Sequence, residues 1–193
     1  MKIYDISQEV FGSKVYPGDD VPKKNEVMRM EQGDAYNLTS FSMCAHNGTH
    51  IDAPFHFLKQ GKTVEQIDLN KVIGMAYVTE WNGEVSAQNA RQIVDEAKGI
   101  TRILLKGNAI VTCDAANVFV QTGIDLVGVE LLSVGPEDAP KEVHEILLQA
   151  EVVLLEGIRL ERVSKGCYFL NAAPLSLAGA DGAPCRAVLI EME

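Results

Sequence analysis

Residues 143–156 read VHEILLQAEVVLLE, and this stretch decides the fold class. Val143, Ile146 and Leu147 recur at helical spacing through Ala150. Val152–Leu155 is then a fully apolar run suited to a central strand of a covered sheet. A helix handing over to a buried strand is the repeating unit of an α/β protein.

The same alternation extends outward on both sides. Upstream, VIGMAYVTEW (72–81) is rich in β-branched and aromatic residues and reads as a strand. Ser86 offers an N-cap to a helix whose apolar stripe is Ala90, Ile93, Val94 and Ala97, with Gly99 as its stop. Ile103–Leu105 reads as a short buried strand, Asp114 as the cap of a helix running through Val120 to Gly123, and Leu126–Val129 as another strand. Downstream, Tyr168–Leu170 and Ala187–Ile190 are further strands. At the other end, residues 2–6 (KIYDI) open the chain as a strand, and residues 9–36 read as irregular, with a tight turn at Tyr16-Pro17-Gly18-Asp19. Thr39–Ala45 alternates with period two and should deliver the chain as a strand straight into His46. With no internal repeat or linker, residues 1–193 read as one domain, several helices covering a mixed sheet.

Composition narrows the function. Seventeen basic side chains against 27 acidic give a net charge of −10. With a pI near 4.9, this argues against bulk electrostatic binding to nucleic acid or anionic membranes. No run approaches the roughly 20 apolar residues of a membrane helix, and MKIYDISQEV lacks the apolar core of a signal peptide. The expectation is a cytoplasmic protein. Cys44, Cys113, Cys167 and Cys185 are widely spaced and are expected to be reduced, small core hydrophobes.

Only four histidines occur, and three of them fall within eleven residues, in HNGTHIDAPFH (46–56). Asn47-Gly48 supplies a turn that can swing His46 and His50 together. His50 and Asp52 stand two apart, so an extended segment projects both to one side. Pro54 biases Ala53 toward extended geometry. Two imidazoles and a carboxylate suit a catalytic divalent ion, zinc or another first-row metal such as manganese, with a position left open. A structural zinc site would instead recruit cysteine. His144, at the start of its helix, and Glu156, at the end of the apolar strand, offer a second position. Each taken alone also reads as an ordinary hydrogen-bonding histidine and a strand-end charge.

HNGTHIDAPFHF resembles the H-x-G-T-H-x-D-x-P-x-H signature of the metal-dependent cyclase-like hydrolases, which include bacterial kynurenine formamidases and isatin hydrolases. The resemblance extends through YDISQEV, the Tyr16-Pro17-Gly18-Asp19 turn, VHEILLQAEVVLLEGI and PLSLAGADGAPCRAVL. It implies a compact α/β domain of the swivelling β/β/α type. It also implies two divalent metal ions, zinc first and manganese as the alternative. His46, His50 and Asp52 match the ligands of one ion; Asp52, His144 and Glu156 match those of the other, with Asp52 and Glu156 both shared between the two. His56 matches the proton donor and acceptor, and Tyr16 stands where the formamidases usually carry a substrate-contacting Trp. Gly135 stands where they tend to carry Asp. The implied activity is hydrolysis of a small amide of the N-formylkynurenine type by a metal-activated hydroxide. The alternatives are cleavage of a cyclic amide or lactone, or a non-catalytic metal-binding or ligand-binding member. The resemblance further implies a homo-oligomer, dimer or tetramer.

Overall fold

Strand β1 (Lys2–Asp5) opens the chain of the computed structural model, which describes residues 1–191. A two-stranded ribbon follows, β2 (Lys23–Met28) paired antiparallel with β3 (Leu38–Ser42). The ribbon corrects two expectations. Residues 9–36 are not irregular throughout. The strand from Thr39 also stops at Ser42, and a turn in which Asn47 Oδ1 accepts from the Cys44 N–H lies between it and His46. All five residues of β3 are exposed, so its alternation marks no buried face. Next come β4 (His50–Asp52), helix α1 (Leu69–Val72), β5 (Ile73–Glu80), β6 (Gly83–Val85) and α2 (Ala87–Ala97). They are followed by β7 (Arg102–Lys106), β8 (Ala109–Val111), α3 (Cys113–Gln121), β9 (Leu126–Val129) and α4 (Lys141–Gln149). Strands β10 (Val153–Glu156), β11 (Gly166–Asn171), β12 (Gly182–Pro184) and β13 (Val188–Glu191) complete it.

Local chemistry sets the helix boundaries. Ser86 and Asn89 cap α2 reciprocally, and the helix ends with Lys98 and Gly99 both at positive φ. Helix α3 is capped by Thr112, whose Oγ1 accepts from the Ala115 N–H, and not by Asp114, which lies inside the first turn. The preceding β8 runs directly into Thr112, so the cap falls two residues earlier than expected.

Nine strands form one mixed, curled sheet in the order β1-β13-β11-β5-β7-β9-β10-β4-β12. Its centre, β5-β7-β9-β10, is parallel, and its flanks are antiparallel. Side-chain alternation divides the core in two. Tyr77, Ile103, Leu105, Val127, Val129 and Leu154 point to the face covered by α2, α3 and α4, where they meet Ile93, Phe119 and Leu147. Ala76, Val78, Leu104, Leu126, Val153 and Leu155 point the other way, to Ile6, Ile51, Leu170 and Leu189. Fully burying each such side chain contributes roughly 1.5–3 kcal/mol. The cysteines sit at the margin of this interior: Cys113 packs against the first core and Cys185 against the second, both half-buried, Cys44 is half-buried, and Cys167 is exposed, contrary to the expectation for it.

Candidate metal centre

Strand β4 enters the sheet antiparallel to β10, with Glu156 opposite His50 and Leu154 opposite Asp52. Directly opposed residues share a face, so His50, Asp52 and Glu156 emerge on the helix-covered side while Ile51 and Leu155 enter the second core. Helix α4 brings His144 over the same spot, held down by Val143, Leu147 and Leu148. His50, Asp52, His144 and Glu156 are all buried, between 1 % and 4 % exposed. Four ionisable groups so close together and so dry must compensate one another or hold a cation.

The carboxylates divide the imidazoles between them. Asp52 Oδ1 lies 2.8 Å from His46 Nδ1 and 3.4 Å from His50 Nε2, whereas Oδ2 faces His144 Nε2 at 3.7 Å. Glu156 Oε2 faces His50 Nε2 at 3.6 Å, and Oε1 faces His144 Nε2 at 3.4 Å. His50 Nδ1 sits 3.0 Å from the Gly48 carbonyl and His144 Nδ1 2.7 Å from that of Pro140. Donation of each Nδ1–H to a carbonyl leaves both Nε2 atoms directed at the carboxylates, the orientation a metal-binding histidine takes. Asp52 Oδ2 is buried without a hydrogen bond. An orphaned carboxylate oxygen is costly, and a divalent cation would satisfy it. The donor set therefore fits a divalent metal.

Close backbone packing makes the geometry possible. Gly157 has φ +68°, and a Cβ there would stand 2.5 Å from the Gly48 carbonyl oxygen. Its own carbonyl accepts from Thr49 Oγ1 and Gln8 Nε2, both at 2.7 Å, which ties the opening segment to the turn before His50. A Cβ on Gly182 would lie 2.8 Å from His46 Cε1. Pro54 starts a 3-10 turn ending at His56, with Ala53 extended as its proline requires. His56 stacks on His46 at 4.0 Å between centroids, and Phe57 wedges between His56 and His144 at 4.5 Å from each.

Charge follows burial and pairing. Burial resists protonation of His46 and His50, yet the hydrogen bonds to Asp52 push them up to about 9 and about 10, with Glu156 assisting at His50. His144 is likewise raised, Glu156 outweighing its burial. Despite burial, Asp52 is held well below the usual carboxylate range by His46 and His50. His56 goes the other way: burial depresses its pKa, leaving a neutral ring at neutral pH.

A cavity of about 230 Å³ opens onto these groups, lined by His46, His50, His56, His144 and Glu156 together with Tyr16, Phe57, Leu132 and Ser133. A larger groove of about 850 Å³ along Lys2–Gln8 and Arg159 contains none of them. Tyr16 reaches over the mouth, its hydroxyl donating to the Glu137 carbonyl at 2.8 Å. All seven residues picked out in the sequence thus meet in one place. Asp181 was missed: its Oδ2 lies 2.9 Å from His46 Nε2 and 3.3 Å from His56 Nδ1. No spacing to the histidine motif signals it, since β12 brings it there from 129 positions beyond Asp52.

A curled mixed sheet bearing a buried His/Asp/Glu cluster beneath a small cavity has the make-up of a metal-dependent enzyme. The family model described as "Putative cyclase" matches residues 4–136. Kynurenine formamidase of Salinibacter ruber is 32 % identical, the alignment covering 98 % of this chain and 97 % of that one. The same enzyme of Bacillus cytotoxicus is 34 % identical, over 96 % and 95 %. Among solved structures, a "potential metal-dependent hydrolase with cyclase activity" superposes at TM-score 0.84 with 29 % identity, covering 100 % of this chain and 98 % of that chain. Isatin hydrolase A from Labrenzia aggregata reaches 0.86 at 20 % identity, covering 100 % and 94 %, and so shares the fold. The chain belongs to the cyclase family and is a hydrolase similar to the arylformamidases.

Proposed function

We propose that the protein hydrolyses the formamide of a small aryl substrate of the N-formylkynurenine type. It would do so with two divalent ions, zinc or alternatively manganese. His46, His50 and Asp52 would hold one ion; Asp52, His144 and Glu156 would hold the other. The observation that carries this is the split of both carboxylates, one oxygen of each toward His50 and the other toward His144. When bound, such ions polarise a carbonyl and lower the pKa of water from about 15.7 toward 7.

The chain supplies the rest. His56, neutral because it is buried, takes a proton from the attacking water at Nε2, since its Nδ1 is turned to Asp181. It returns that proton to the leaving nitrogen, so one water and one formamide become an aryl amine and formic acid, which ionises to formate and releases a proton to solvent. Tyr16 offers its ring to the aryl group and Phe57 walls the cavity against solvent. The names of the full-length formamidase relatives support this substrate class.

A homo-oligomer, dimer or tetramer, fits the exposed Val27, Met30, Leu38 and Phe41 of the β2–β3 region. The free thiols suit the reducing cytoplasm. Among the described residues no helix is long and apolar enough to cross a membrane.

The test is to strip the protein with chelator, reload zinc or manganese, and follow formate release from a formanilide-type substrate beside isatin and a lactone. Metal-dependent formate release is expected. Turnover of isatin or lactone alone would transfer the activity to cyclic substrates. Metal binding with no turnover would make the protein a binding member.

A further inference from the structure

Among the described residues, Asp181 is the one acidic group hydrogen-bonded to both His46 and His56, and the hydrolytic reading uses only its contact with His56. It stands in the turn before β12, where its carbonyl accepts the Ala53 N–H at 2.9 Å and the next residue, Gly182, pairs with Asp52. Its backbone is thus fixed to the strand that carries His50 and Asp52, although its side chain is 42 % exposed. A single oxygen, Oδ2, reaches His46 Nε2 at 2.9 Å and His56 Nδ1 at 3.3 Å. Those two rings stack 30° from parallel with centroids 4.0 Å apart. Among the described residues, His56 has no other hydrogen-bond partner for its ring nitrogens.

Consequences follow for both imidazoles. A proton on His46 Nε2 donated to Asp181 leaves Nδ1 facing Asp52, 2.8 Å away, as the free ligating atom. A proton on His56 Nδ1 donated to the same oxygen leaves Nε2 as the free base. An unrestrained imidazole would sample both tautomers and both ring flips. Resting on the hydrolase reading, we propose that Asp181 is a positioning residue that sets the ring orientation and tautomer of the ligand His46 and the proton carrier His56 together. As a surface ion pair it would contribute little to stability. Its effect lies in orientation.

The test compares Asp181→Ala, Asp181→Asn and wild type. Imidazole nitrogen–proton NMR spectra of the metal-free proteins read ring order without any turnover. Zinc affinity by chelator competition and kcat and KM on a formanilide follow. In Asp181→Ala the His56 signals should shift toward tautomer averaging, and the His46 Nε2 proton, which donates to Asp181 in wild type, should move upfield and exchange faster with water. Zinc affinity at the position served by His46 should fall about 10–100-fold, and kcat by a similar factor, with KM changed little. Asp181→Asn keeps an oxygen that can accept the same protons, and should recover most of both losses. Unchanged imidazole spectra in Asp181→Ala overturn the proposal, and so does an unchanged kcat where wild type is active. Equal losses in the Asn and Ala variants overturn it as well. If wild type neither binds zinc nor turns over, the hydrolase reading fails, and the spectra alone still decide whether Asp181 orders the two rings.

Discussion

Returning metal to the stripped protein should expel protons, and the number can be worked out from the site. Without metal, His46 lies between Asp52 and Asp181 at 2.8 and 2.9 Å. Its pKa of about 9 therefore stands above the ordinary imidazole value of about 6.5 in spite of burial. His50, facing Asp52 and Glu156, stands at about 10. At pH ~7.5 both are imidazolium, and a ligating nitrogen must first lose its proton. Zinc entering the His46–His50 position should release about two protons, and its apparent affinity should climb by about two orders of magnitude per pH unit up to the histidine pKa values. Calorimetric titration at one pH in buffers of different ionisation enthalpy counts those protons directly. A binding heat independent of buffer, or an affinity flat over this range, would refute the paired-charge description of the metal-free site.

The same shifts fix a stability trend. A histidine whose pKa is raised in the folded state contributes stability that is fully present below its unfolded value, about 6.5, and is lost as pH rises through the folded value. For His46 that window runs from about 6.5 to about 9, and for His50 to about 10. At about 1.4 kcal/mol per pKa unit, His46 alone accounts for about 3 kcal/mol. His50 shares Asp52 with it, so the two do not simply add. The metal-free protein should therefore melt at progressively lower temperature from pH ~7 to ~10. The zinc-loaded protein should hold its melting temperature, because the cation then replaces the protons.

Three further outcomes are expected. His56→Ala should cut kcat by about 10²–10⁴-fold while elemental analysis finds metal content unchanged; metal loss would make His56 a ligand. Gly182→Ala places a Cβ 2.8 Å from both His46 Cε1 and the Ile51 carbonyl oxygen. Both the Ile51 backbone and the His46 ring must give way, which displaces the site, and zinc affinity should drop by about 10–100-fold in chelator competition. Gly128→Ala sets a Cβ 2.4 Å from Leu104 Cδ2 in the second core and should cost about 1–3 kcal/mol in urea unfolding, with metal affinity unaffected.

Parts of this molecule were legible in the sequence for identifiable physical reasons. Helix α2 declared itself because Ser86 caps it and Ala90, Ile93 and Ala97 bury one stripe. The central strands β7, β9 and β10 are apolar runs because both their faces are covered. Strand β2 left no trace, since Lys23, Lys24 and Glu26 lie in a ribbon that buries almost nothing. Strand β12 is three residues, Gly-Ala-Pro, defined by the backbone it meets and not by side chains. The histidine motif was visible because His46, His50, Asp52 and His56 are close in sequence. Asp181 was not, because its meaning depends on a strand pairing.

Register is what ties fold and site together. In β4 the order His50-Ile51-Asp52 alternates site, core, site, and β10 answers with Glu156, Leu155 and Leu154. Ile51 and Leu155 are fully buried in the second core, so they hold the pairing where it is. A slip of one residue would invert β4. Ile51 would then enter the polar cavity, and His50 and Asp52 would be driven among Leu104, Leu155 and Ile158 without their partners. Burying even one unpaired charge there costs more than a typical domain can spare. The apolar residue between His50 and Asp52 thus does for the site what no hydrogen bond in it does: it makes the competing registers unstable. Strand β12 closes the other edge of β4 in the same register, Gly182 opposite Asp52 and Pro184 opposite His50. That pairing delivers Asp181 to His46 and His56. The position of the carboxylate beside His56 is in this way a consequence of where Ile51 is buried.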